Sequence, residues 1–233
     1  MTRNLKAIGL ALVAVLAMGA VAASGAQAAV HFTSSLNGTD TGSTLSGTQT
    51  TTNVFETSAT NKVSCKIAKF SGVAAGTATE QTIEPTYEQC TGFGLPATVT
   101  MNKCDYLFTT PTKMALDEYT GKVDLVCPAN TVVEVHLYLF EEPWAGTACT
   151  ITVGKAAGGS QEFGTVTYTL KTNTPTSANT IVIDSSVTGI PVEEHGSGCP
   201  DGNTKPTTGN YTGSVTVSAA SGGTPVDIEL TGE

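Results

Sequence analysis

Arginine is almost missing from this chain: among 233 residues only Arg3 carries a guanidinium, and it stands near the start. Without it there is no planar fork for phosphates or base edges. Acids outnumber bases, 20 Asp and Glu against 11 Lys and Arg, for a formal charge of -9. Nucleic acid and anionic membrane surfaces are repelled by such a field. No C-x-x-C occurs, which disfavours a zinc ribbon or a thioredoxin-type redox site. No G-x-S-x-G elbow occurs either. Beyond residue 28 there is no second long apolar run and no lipobox-like cysteine. Helical patterning is scarce too, with Lys113–Glu118 the one stretch suited to a helical turn.

What is present begins with an export pattern. Arg3 and Lys6 form a basic head, Ala7 to Ala22 is apolar, and Ala26-Gln27-Ala28 offers small residues to a signal peptidase. The reading predicts a signal helix over 1–28, cleavage after Ala28, and a soluble chain that is secreted and extracellular, with no membrane span. Cleavage removes two bases and no acid, so the charge becomes -11.

Threonine dominates the rest, with 41 copies in the chain. It is β-branched and polar, suited to the wet face of a strand. Val166, Tyr168 and Leu170 alternate with Thr165, Thr167 and Thr169; Val215 and Val217 alternate with Ser214, Thr216 and Ser218. Period two with polar alternates predicts half-buried antiparallel strands. Ala97–Phe108 reads as one strand whose parity switches, implying a bulge near Asn102 and Lys103. The fold class is all-β.

Tyr119-Thr120-Gly121-Lys122-Val123 returns as Tyr211-Thr212-Gly213-Ser214-Val215, 92 residues on. Weaker matches precede it in the same order, and the pattern predicts a tandem duplication of β-sandwich-like units. The expected division is a signal over 1–28 and a partly ordered Ser/Thr/Gly-rich segment over 29–62. A first β unit over 63–127 and a second, with its linking strand, over 128–233 complete it.

Six cysteines, Cys65, Cys90, Cys104, Cys127, Cys149 and Cys199, allow fifteen full pairings. After an export signal, structural disulfides are the expected use. Cys90 and Cys104 lack counterparts in the second unit, which favours Cys90–Cys104, Cys65–Cys127 and Cys149–Cys199. The competing scheme has Cys65–Cys90 with Cys104–Cys127.

Leu45-Ser46-Gly47-Thr48-Gln49-Thr50, Val63-Ser64-Cys65, Pro85-Thr86-Tyr87-Glu88-Gln89-Cys90, Phe93-Gly94-Leu95-Pro96-Ala97 and Val126-Cys127-Pro128-Ala129 carry a resemblance. The chain resembles uncharacterised secreted, β-rich, cysteine-containing proteins of actinobacteria over most of its mature length. The resemblance implies export and β structure, and it brings no activity, ligand or catalytic residue.

Chemistry-bearing residues are sparse. Glu141-Glu142-Pro143-Trp144 sets the single tryptophan beside two acids, the pairing a glycan contact uses, and two flanking acids are also what a glycosidase needs. His136 alternates with Glu134 and Tyr138 on a polar strand face, His195 lies near Ser197 in a loop, and His31 sits near the expected mature start. Asp201-Gly202-Asn203 reads as a turn rather than a calcium loop. No catalytic set, metal site or cofactor is expected. The favoured function is a non-enzymatic structural, adhesive or binding protein at or beyond the cell surface, its partner a glycan or a protein. The alternative is a glycan-binding or glycan-hydrolysing protein that uses Glu141, Glu142 and Trp144.

Overall fold

The computed structural model describes residues 29–57, 61–139, 146–155, 159–172, 178–202 and 207–232. Among them there is no helix. The expected signal helix lies outside the described residues. Fifteen strands follow one another: β1 (Val30–Leu36), β2 (Thr39–Asp40), β3 (Ser43–Glu56), β4 (Lys62–Ala74), β5 (Thr77–Ala78), β6 (Glu80–Gly92), β7 (Leu95–Thr100) and β8 (Asp105–Ala115). The second half holds β9 (Glu118–Cys127), β10 (Val133–Tyr138), β11 (Thr147–Val153), β12 (Gly159–Lys171), β13 (Thr180–His195), β14 (Thr207–Ser221) and β15 (Thr224–Gly232).

Eight of these strands close on themselves. The order β3-β4-β6-β8-β9-β12-β13-β14 follows the chain, every neighbour is antiparallel, and β14 returns to β3. The result is an up-and-down barrel, with no free edge around its ring. This corrects the expected sandwich-like units: strands from both halves of the chain hydrogen-bond into one sheet.

The barrel is forked at one end. β6 pairs with β8 as far as Ile83, then takes β7 as its neighbour from Cys90 onward. β13 pairs with β12 as far as Ser185 and with β11 from Val192. Strands β7, β10 and β11 therefore close a second ring with β13, β14, β3, β4 and β6. Five strands form a shared wall, and two three-stranded sheets complete it, one at each end. A proline is tolerated where a ladder breaks off, and each fork has one, Pro85 on β6 and Pro191 on β13.

β1 and β15 pair with each other and lie across the unforked end, close to β4, β6, β8 and β13. Phe32 from β1 meets Tyr168 edge-on at 5.7 Å, and Phe108 meets the same ring at 6.3 Å. Gly121 makes room for that ring: a Cβ there would stand 2.8 Å from Tyr168 Cε2. Gly213, in the second Tyr-Thr-Gly stretch, makes room for Asn53 in the same way. Both Tyr-Thr-Gly stretches thus place glycine where a neighbouring side chain enters the barrel.

Inside and outside obey the pleat. Along β6, Gln81, Ile83 and Pro85 are buried while Glu80, Thr82, Glu84 and Thr86 are exposed. A transmembrane barrel shows the opposite sense, apolar outward. Two local expectations are corrected. Leu116 and Asp117, the latter at φ 58°, form the turn of the β8–β9 hairpin where a helical turn was expected. Asn102 (φ 51°) and Lys103 (φ 62°) make a turn that splits Ala97–Phe108 into β7 and β8, in place of a bulge. The Ser/Thr/Gly-rich segment includes a full member of the barrel, β3.

The disulfides are Cys65–Cys90, Cys104–Cys127 and Cys149–Cys199, and no described cysteine is free. Two of the favoured pairs, Cys65–Cys127 and Cys90–Cys104, are corrected to the competing scheme. Strand register is the reason: Cys65 and Cys90 stand directly opposite on β4 and β6. Cys104 and Cys127 flank the Asp105–Val126 pair of β8 and β9.

Candidate functional site

Where the two three-stranded sheets meet, the barrel interior is left hollow. The cavity measures about 100 Å³, and both sheets line it: Val99, Val135 and Val153 from one, Tyr106, Val123 and Phe163 from the other. The shared wall adds Phe70, Tyr87, Ile183, Tyr211 and Val215. Apolar atoms dominate the surface, and among the described residues no lysine, histidine or carboxylate lines it.

Three tyrosine hydroxyls converge there. Tyr87 Oη lies 2.9 Å from Tyr106 Oη and 3.4 Å from Tyr211 Oη. Tyr211 donates to Asn53 Oδ1. Asn53 Nδ2 in turn donates to Gln49 Oε1 at 2.8 Å, and Gln49 Nε2 donates to the Lys66 carbonyl. A bulge lies beside Asn53: β3 runs Thr48 opposite Lys69 and then Asn53 opposite Cys65, one residue more than β4 supplies. Asn53 itself keeps the inward parity of Ser43, Leu45 and Gly47.

Burial sets the chemistry of these phenols. It pushes Tyr87 well above the usual tyrosine range, and the neighbouring Tyr106 and Tyr211 add to the rise. Tyr106 is raised by burial, opposed by its hydrogen bond with Tyr87. Tyr211 is raised far by burial and by Tyr106, against the hydrogen bond with Tyr87. All three stay protonated and neutral at ordinary pH. By surface area the three rings are half-buried, and the surface they retain borders the cavity.

The residues singled out from sequence are distributed differently. Glu141, Glu142 and Trp144 lie outside the described residues. His136, Thr150 and His195 stand in one row across β10, β11 and β13. Each histidine faces an acid on its own strand at 3.4 Å, Glu134 and Glu193 respectively. Both pairs are outside the barrel and away from the cavity. Asp201 accepts a hydrogen bond from Asn61, and Gly202 closes a turn onto the Cys199 carbonyl.

Sequence reasoning passed over Glu194, which is 1% exposed. Its Oε2 has no hydrogen-bond partner among the described residues, and its carboxylate lies within 4.8 Å of the sulfurs of Cys149 and Cys199. Both sulfurs are bonded to each other, so they offer a metal no thiolate. The tyrosine cluster was also missed as a site. A Tyr or Asn on the inward parity of a strand was its one visible signal.

No family model matches the chain, and no curated protein or solved structure matches it either.

Proposed function

We propose that this is an exported, non-enzymatic binding protein whose barrel holds one small, mainly apolar molecule. The observation that carries the reading is the apolar cavity with three neutral phenols at one side. An eight-stranded barrel is just wide enough to be filled by side chains or to hold a single small ligand. Apolar walls with a few convergent polar groups are the usual make-up of a small-molecule site. Apolar cavities of about 150 Å³ stay dry and take benzene, so a ring of about five heavy atoms suits this one.

Export is supported by the N-terminal pattern and by three disulfides, which persist in oxidising compartments. The exposed threonine and acid faces suit a chain surrounded by water.

The test uses cyclopentane as probe with the mature chain. A ligand that binds only the folded state raises the melting temperature saturably. Val135, buried and lining the cavity, is replaced in a second protein by phenylalanine to fill the space. The expected result is a saturable rise in the native chain and none in Val135→Phe. No rise in the native chain, or an equal rise in both, overturns the reading.

A further inference from the structure

Resting on that reading, we infer that the occupant is a neutral molecule whose polar atom is a hydrogen-bond acceptor, such as a small ether or ketone, and that it accepts a hydrogen bond from Tyr106. The inference follows from counting protons along the polar relay. The Lys66 carbonyl can only accept, so the Gln49 amide must present Nε2 to it and Oε1 to Asn53. Asn53 must then donate through Nδ2 and accept through Oδ1. Tyr211 is thereby committed: its one proton goes to Asn53.

Two phenolic protons remain, those of Tyr87 and Tyr106. At 2.9 Å the two oxygens share one good hydrogen bond. The remaining hydrogen bond, Tyr87 to Tyr211 at 3.4 Å, is longer than the usual range of about 2.5–3.0 Å for O–H···O bonds and correspondingly weak. One buried proton is therefore poorly used, and Tyr106 has no described acceptor apart from Tyr87. A buried donor without an acceptor is costly, whereas spare lone pairs on an oxygen are more readily tolerated. An incoming acceptor lets Tyr87 donate to Tyr106 and Tyr106 donate to the ligand. An incoming donor leaves that proton where it was. An anion is disfavoured because none of the described residues lining the walls is a cation.

Three five-membered rings separate the possibilities: tetrahydrofuran accepts, pyrrole donates through its N–H, and cyclopentane does neither. Their dissociation constants are measured by NMR titration of the mature chain, of Tyr106→Phe and of Tyr87→Phe. Tetrahydrofuran is expected to bind about tenfold more tightly than pyrrole. That preference should vanish in Tyr106→Phe and persist in Tyr87→Phe. Equal binding of the three rings, tighter binding of pyrrole, or a preference unchanged in Tyr106→Phe overturns the inference and leaves the binding reading standing. Failure of all three rings to bind overturns both.

Discussion

The two ends of this barrel share five strands and reach opposite results. Beneath the β1–β15 cap the interior is nearly filled, with about 20 Å³ left beside Tyr168, which is completely buried with Phe32 and Phe108 edge-on against it. Toward the fork the interior is hollow, although Phe70, Tyr87, Tyr106, Phe163 and Tyr211 are all nearby. Ring size does not distinguish them, because eight strands close each ring. The cap does. At the unforked end β1 and β15 send Phe32 and Ile228 inward. At the fork the wall passes from one three-stranded sheet to the other, and the valines that line the junction are too short to meet across it.

Truncation should expose the difference most strongly. Tyr168→Ala is expected to cost about 4 kcal/mol, within the range for emptying a packed aromatic site. Tyr106→Ala, beside space that is already empty, should cost about 2 kcal/mol. Urea unfolding of both variants measures the gap, and equal losses would remove the distinction between filled and hollow.

Removing only the hydroxyl should reverse the order. Tyr168 Oη is buried with no described partner, so Tyr168→Phe relieves an unmet polar group and should stabilise by up to about 1 kcal/mol. Tyr211→Phe takes the donor from Asn53 Oδ1 and should cost about 1–2 kcal/mol. Melting temperatures moving the same way in both variants would contradict this.

Alkali addresses the two regions together. Burial raises the Tyr168 phenol, as it does those of Tyr87, Tyr106 and Tyr211. The unfolded chain titrates its tyrosines near pH 10. Below that value the stabilisation from these four groups is intact. Above it the unfolded state sheds protons that the folded state retains, so stability falls as pH rises. Phenolate absorbance from these rings should therefore appear together with loss of the β-sheet circular dichroism. Their ionisation in a chain that stays folded would show that the interior is wetter than described.

Strand character was readable from residues because it is local. Val166 and Tyr168 face inward as their alternation with threonine requires. β3 was harder: its inward positions Ser43, Leu45 and Gly47 are mostly small, since a Cβ at Gly47 would come within 2.9 Å of Phe70 Cβ. A strand packed that closely looks like a polar linker in sequence. Closure was invisible because it depends on β3 meeting β14, whose register pairs Thr48 with Thr216, and no local pattern encodes so distant a match. The pairing of Cys65 with Cys90 likewise follows from strand register, which the count of cysteines leaves open. The tyrosine site needs the fold as well: Tyr87, Tyr106 and Tyr211 come from β6, β8 and β14, and only the closed ring brings them within hydrogen-bonding distance.

A crystal of residues 29–233 held under xenon pressure tests the hollow interior most directly, because xenon enters apolar cavities without needing a polar partner. The expected density is a xenon atom between Tyr106, Phe163, Ile183 and Val135, with none beneath the cap around Tyr168. A barrel whose forked end is closed by side chains, with no xenon among those residues, would contradict the binding cavity.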